Sequence, residues 1–422
     1  MLSKKKQTMT TPDSCETPAA PATSLSRRRL LVTSGLGWMF DALDVGLLAF
    51  VLAALQVAWG LSRAEMGWLG AINSIGMAVG AAAFGLMADR IGRKRVFIAT
   101  LLLFAAASGL SALCASLAAL MVLRFFIGMG LGGELPVAAT YVAERVPARE
   151  RGRMVVLLES FWAGGWLLAA LIAWFVMPLF APDMGWRVAL LLGALPAFYA
   201  LHLRRSLPED APTGIKPSGP TWGQRLAALW SAPHRRATLM LWVLWFAMVL
   251  SYYGMFLWLP SVMAWRGFAL VKSFEYMLLM TLAQLPGYFS AAWLIERAGR
   301  KFVLVAYLAG TAASAWAFGQ AGSVAELLLA GALLSFFNLG AWGALYAYTP
   351  ENYPAAIRTS GAGMAAAVGR LGGVLGPLTI PALGAQGWSE SAIFTFFAAT
   401  VAVGALAVVL LGRETRGLAL EE

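Results

Sequence analysis

Six ionisable residues of this chain stand inside long apolar runs, where a charge costs several kcal/mol unless it is paired or used. Asp41 and Asp44 lie in WMFDALDVGLL, Arg124 and Glu134 in LRFFIGMGLGGELP, Glu159 in LLESFWAGGW and Arg370 in GRLGGVLGPL. The two aspartates, three residues apart, occupy neighbouring positions on one helix face. A desolvated carboxylate there can take up and release a proton. The alternative is that one or both pair with Arg124, and the two are compatible because a proton can displace the arginine. Glu134 falls about 15 Å beyond Arg124 along a helix, among glycines that allow tight packing and local unwinding. For Glu134 and Glu159 a structural role, satisfying nearby backbone groups, stands beside a functional one. Arg370 has no carboxylate near it in its own apolar run. A guanidinium facing a cavity suits two-pronged recognition of a carboxylate; an internal salt bridge, with Glu134 for instance, is the other reading.

Neutral polar and aromatic side chains accompany these charges. SYYGMFLWLP contributes Tyr252, Tyr253, Phe256 and Trp258, and FFNLGAWGALYAY places Asn338, Trp342 and Tyr346 four residues apart on one helical stripe. Glu159, Trp162 and Trp166 share a face, while Asn73 and Gln284 add amides within other apolar runs. Aromatic stripes in such segments usually serve packing or the membrane interface. The stripe through Asn338 lies deep in its run and carries an amide, so a flat aromatic ligand could stack there while amides read its ring heteroatoms.

The segments that must position these groups follow from composition. With 60% hydrophobic residues, 13% charged residues and a mean hydropathy of +0.71, the chain is a polytopic membrane protein. Spans are expected at 35–58, 65–87, 95–114, 117–143, 153–177 and 185–203, and again at 238–264, 270–294, 302–320, 323–349, 358–383 and 388–411. This gives an all-α protein of twelve transmembrane helices. Residues 1–34 form a disordered cytoplasmic tail and 35–203 a first six-helix bundle. Residues 204–236 are a cytoplasmic linker, 237–411 a second bundle and 412–422 a second tail. The net charge of +11 is concentrated in alternate loops, which sets both termini in the cytoplasm. It forms no basic groove interleaved with aromatics, so nucleic acid is not a partner. Cys15 and Cys114 fall on opposite sides, and His202 and His234 flank the linker. No metal site, cofactor site or catalytic nucleophile–base pair emerges, which argues against an enzyme.

The halves repeat. GLMADRIGRKR, with Gly85, Asp89, Arg90, Gly92 and Arg93, returns as AWLIERAGRK, with Glu296, Arg297 and Arg300, at an offset of 207 residues. Tyr141, Glu144, Pro147 and Arg151 match Tyr348, Glu351, Pro354 and Arg358 at the same offset. Duplication is a common way to build transporters. Gly85 permits close helix approach, and Asp89 can pair with an arginine or face a helix N-terminus, locking one end of the bundle in one state. Such a turn can also serve topology alone.

Six plus six spans with this turn between spans 2 and 3 resemble the major facilitator superfamily; the second copy departs in having Ala292 for Gly85 and Glu296 for Asp89. The resemblance implies alternating access, with Asp44 and Arg124 at the positions of a protonation switch in sugar carriers and Arg370 at that of an anion-facing arginine in organic anion carriers. The strings WMFDALDVGLL, FFIGMGLGGELPVA, LLESFWAGGW, SYYGMFLWLPSVM and LLSFFNLGAWGALYAYTPE look like the bacterial niacin permease group. That similarity implies a monomeric inner-membrane importer of nicotinate, with protons as the coupled partner. The implied sites are Arg370 for the carboxylate, the aromatics for the ring and the amides for its nitrogen. A benzoate-type aromatic acid symporter and a non-transporting sensor on the same fold are the alternatives.

Overall fold

The computed structural model describes residues 27–91, 93–132, 151–205 and 222–417. The first half contains α1 (Arg27–Trp59), α2 (Arg63–Ile91), α3 (Arg93–Ser111), α4 (Leu117–Gly132), α5 (Arg151–Leu171) and α6 (Pro182–Arg205). A short α7 (Trp222–Leu229) precedes the second half. That half runs through α8 (Arg235–Phe256), α9 (Leu259–Trp265), α10 (Leu270–Leu282), α11 (Gln284–Ala298), α12 (Arg300–Gln320), α13 (Val324–Glu351), α14 (Ala355–Ala385) and α15 (Glu390–Leu411). Together they make the twelve-helix membrane bundle of two six-helix pseudo-repeats.

Several expected single spans are interrupted, and proline explains where. The expected span 238–264 divides into α8 and α9 because Pro260, in the first turn of α9, lacks an N–H and its ring clashes with the preceding turn. Span 270–294 likewise divides into α10 and α11 two residues before Pro286 begins to withhold its donor. At the end of α5 the chain widens into a π turn at Ile172–Val176 and tightens into a 3₁₀ turn at Met177–Leu179, around Pro178. The linker, read as loop throughout, contains α7, too short for its period to stand out. It is seated by Thr238 Oγ1 donating to Leu229 O at 2.8 Å and by Trp230 edge-on to Trp242 at 5.1 Å.

Glycine decides which helices approach closely. α2 and α4 interlock reciprocally: a Cβ on Gly76 or Gly80 would strike the carbonyls of Phe125 or Met129, and one on Gly128 or Gly132 those of Asn73 or Met77. This is small-residue packing with backbones in contact, which drives helix association where lipid leaves no hydrophobic effect between helices. In GRLGGVLG the glycines serve the same end, since Gly372 and Gly376 of α14 lie against the carbonyls of Phe246 and Leu250 on α8.

The halves meet along α2–α14 and along α5 against α11 and α13, and they touch at both ends. At the end bearing the repeated turn, the backbone N–H of Arg153 donates to Glu296 Oε1 at 3.2 Å. Arg300 holds Glu296 at 2.8 Å and Glu351 at 3.2 Å, so charged residues of the second copy converge. The turn itself needs Gly299, whose φ of +98° is left-handed. Residues 412–417, read as tail, dock here: Glu414 accepts from the backbone N–H groups of Arg300 and Lys301 at 2.8 and 3.1 Å. At the opposite end Trp265 Nε1 donates to Gln56 at 3.0 Å, and the Arg63 guanidinium lies 4.0 Å over the Trp265 ring. Of the first copy of the turn, Gly92 and the side chains of Asp89, Arg90 and Arg93 lie outside the described residues, as do the surroundings of Gly85.

Candidate functional site

Between these two sets of contacts lies a small cavity. Its walls are aromatic and come from both halves: Trp38 of α1 and Trp162 of α5 face Trp245, Tyr252 and Tyr253 of α8, Tyr288 of α11, and Trp342 and Tyr346 of α13. The rings support one another. Trp162 Nε1 donates to Tyr252 Oη at 2.7 Å across the halves. Trp38 and Trp162 are 5.3 Å apart, Trp245 and Tyr346 5.1 Å apart edge-on, and Tyr252 stacks on Phe256 at 4.9 Å. Each such pair adds about 0.5–1.5 kcal/mol beyond its buried area, so the cage is held rigid before any ligand enters.

Arg370 of α14 is the basic side chain lining this cavity. Its Nη1 touches Met77 Sδ at 3.4 Å, and the Tyr253 hydroxyl faces it. Among the described residues no ion pair to Arg370 is formed; Glu134, its suggested partner, lies outside them. The guanidinium thus lies among the rings that line the cavity.

Asp44 and Arg124 form a separate pair deeper in the first half. Nη1 of Arg124 lies 3.1 Å from Oδ2 and 3.3 Å from Oδ1 of Asp44, with side-chain exposures of 0% and 1%. Asp41, one turn earlier on α1, is also buried and acts on Tyr253, the neighbour of Arg370.

The expected amides are placed elsewhere. Asn73, Gln284 and Asn338 are all buried, and none lines the cavity. The stripe through Asn338, Trp342 and Tyr346 explains its own failure. Each step of four residues turns the helix by about 40° beyond a full circle, so Asn338 is rotated by about 80° from Tyr346. Met77, one turn beyond Asn73, lines the cavity instead. Gln284 yields in the same way to Tyr288. Sequence reading missed Trp38, Met77, Trp245 and Tyr288 as lining residues. A signal existed for three of them: Trp38 lies three residues before Asp41, Tyr288 is four beyond Gln284, and Trp245 is seven before Tyr252.

A twelve-helix duplicated bundle with an aromatic cavity lined from both halves defines a membrane transporter, and the chain belongs to the Major Facilitator Superfamily, whose family description matches residues 34–284. The description "Sugar (and other) transporter" matches residues 216–422. Among curated relatives, the chain is 58% identical to a putative niacin/nicotinamide transporter, NiaP, of Bacillus subtilis, over 94% of this chain and 98% of that one. It is 46% identical to the niacin transporter NiaP of Acinetobacter baylyi, over 93% and 95%. The 3-(3-hydroxy-phenyl)propionate transporter of Escherichia coli is 31% identical, over 93% and 97%. Among solved structures, the xylose transporter XylE from E. coli superposes with a TM-score of 0.76 at 19% identity, covering 93% of this chain and 99% of that one. The human organic anion transporter MFSD10 superposes with 0.72 at 19%, covering 91% and 100%. At these identities the structural matches establish the fold.

Proposed function

We propose that this protein imports nicotinate across the bacterial cytoplasmic membrane, as a monomer with both termini in the cytoplasm, by alternating access coupled to protons. The observation that carries the reading is Arg370 within the aromatic cavity, a cation without a carboxylate partner among the described residues. It matches a flat ring bearing one carboxylate: charge-assisted donors for the anion and ring faces for the ring. The high identity to two relatives named for niacin transport supports the same substrate.

Coupling rests on Asp44. In the closed pair, Arg124 neutralises the carboxylate; a proton on Asp44 removes that attraction and frees Arg124 to change partners. Because the pair spans α1 and α4, its opening loosens the first half where Trp38 of α1 meets Trp162 of α5. The closures at Glu296–Arg153 and Gln56–Trp265 then break in turn, so that the cavity opens to one side at a time. A membrane potential negative inside opposes entry of an anion, and a cotransported proton offsets that opposition.

Uptake of radiolabelled nicotinate into proteoliposomes, with and without an inward proton gradient, tests both parts. Saturable uptake raised by the gradient is expected. Saturable uptake indifferent to it would remove the coupling, and no uptake by folded protein would remove the substrate.

A further inference from the structure

Arg370 rests on a thioether. Its Nη1 donates to Met77 Sδ at 3.4 Å, and the contact crosses between the halves, from α14 to α2. Both residues line the cavity. A methionine side chain is flexible in itself, but this one has a fixed root. Met77 is 3% exposed, and α4 lies against its backbone: a Cβ on Gly132 would strike the Met77 carbonyl, and one on Gly128 would come 3.1 Å from its backbone nitrogen. One turn away on both helices, a Cβ on Gly373 of α14 would come 3.1 Å from Ser74 Oγ of α2. The two helices therefore touch beside the pair, and the sulfur has a set place relative to the guanidinium.

A guanidinium carries five N–H donors in one plane, and a thioether is a weak, uncharged acceptor. Engaging Nη1 sets the rotation of that plane while the positive charge stays whole. A carboxylate in the place of the sulfur would neutralise the arginine, and a hydrocarbon would leave it free to swing. The thioether does neither: it aims the group and leaves donors for an anion. The Tyr253 hydroxyl also faces Arg370, but it belongs to the same half and travels with it. Met77 belongs to the other half, so its hold lasts only while α2 and α14 stay together. A carboxylate on Arg370 then binds better in that state than after the halves part, and such a difference in affinity is what lets a ligand bias a conformational equilibrium.

We propose that Met77 is a positioning residue for the substrate carboxylate: its sulfur holds Arg370 in the orientation that receives the anion, and the hold is withdrawn when α2 parts from α14. The inference rests on the nicotinate reading above and deepens it, because it makes affinity for the acid depend on a residue from the opposite half that does not bind the acid itself.

The test is direct binding of nicotinate and of nicotinamide to the purified full-length protein, its folding checked by thermal unfolding. Met77→Leu keeps the side-chain volume and removes the acceptor. It should weaken nicotinate by about 3- to 10-fold, the worth of one hydrogen bond, and move the uncharged nicotinamide by less than about twofold. Met77→Gln returns an acceptor at similar reach and should keep nicotinate within about twofold of wild type. A purely apolar packing role predicts the opposite order, with leucine tolerated and glutamine not. In an Arg370→Ala background, adding Met77→Leu should cost nicotinate less than about a further twofold, because the sulfur acts through the guanidinium. Wild-type affinity for nicotinate in Met77→Leu, equal losses for both ligands, or the full loss persisting without Arg370 would overturn the proposal. Should Met77→Leu not fold, Met77→Val, which removes the sulfur without adding bulk, carries the same expectations. Wild-type protein that binds neither ligand would end the nicotinate reading and this inference together. Wild type that binds nicotinate, with affinity intact in Met77→Leu, would end this inference alone.

Discussion

Arg124 reaches from α4 to α1 and sets one nitrogen, Nη1, 3.1 and 3.3 Å from the two oxygens of Asp44, in a pocket closed to solvent. Its Nε and Nη2 have no partner among the described residues. A buried pair is secure when geometry and hydrogen bonds satisfy both groups fully, and this one is satisfied through a single nitrogen. It is strong enough to hold α1 against α4, yet incomplete enough for a proton to undo.

Asp44→Asn should therefore abolish proton-driven accumulation. The neutral amide cannot cycle a proton, and Arg124 is left as an uncompensated buried charge, a loss of about 3–5 kcal/mol where nothing relaxes. Binding should fall by less than about tenfold, because the pair lies outside the cavity lining. Gradient-driven uptake and equilibrium binding, measured on the same preparation, separate the two; accumulation equal to wild type would remove Asp44 from the mechanism.

Arg370→Ala should weaken nicotinate by about 10- to 100-fold, the worth of a charge-assisted hydrogen bond. Nicotinamide, which has the same ring without the charge, should lose far less. Competition binding with the two ligands measures the difference, and equal losses would make Arg370 a structural group.

The two closures should trade populations. Ala366 lines the cavity, so Ala366→Cys reports access from either side. Trp265→Ala, which removes the contacts to Gln56 and Arg63, should speed labelling of that cysteine by an impermeant maleimide applied outside cells. Arg300→Met, which releases Glu296 and Glu351, should slow it. Labelling rates that both variants move in the same direction would contradict two opposed closures.

Packing can be tested apart from transport. Gly80→Ala brings a Cβ onto the Met129 carbonyl, whereas Gly109→Ala meets nothing within 4 Å. The first should destabilise by about 1–3 kcal/mol through overpacking and lower the thermal unfolding temperature in detergent. The second should leave it unchanged or slightly higher, since alanine is the better helix former.

Much of the fold was legible because hydropathy belongs to each segment alone. An apolar run of about 20 residues crosses a bilayer whatever packs beside it, and a repeat at an offset of 207 residues duplicates the bundle. The cost of intramembrane charge singled out Asp44, Arg124, Glu159 and Arg370 on the same local ground.

Which of those side chains share a space was decided only by tertiary structure. The pairing of Asp44 with Arg124 joins residues 80 positions apart, and the bridge from Trp162 to Tyr252 joins residues 90 apart in opposite halves. Whether a residue faces the cavity depends on helix rotation, on breaks such as those near Pro260 and Pro286, and on glycines that set how closely helices approach. A step of four residues turns a side chain by about 40° beyond a full circle, and it is Met77 rather than Asn73, and Tyr288 rather than Gln284, that line the site. The chain by itself determines that twelve helices cross the membrane and which charges they carry; contacts between distant helices determine where those charges point.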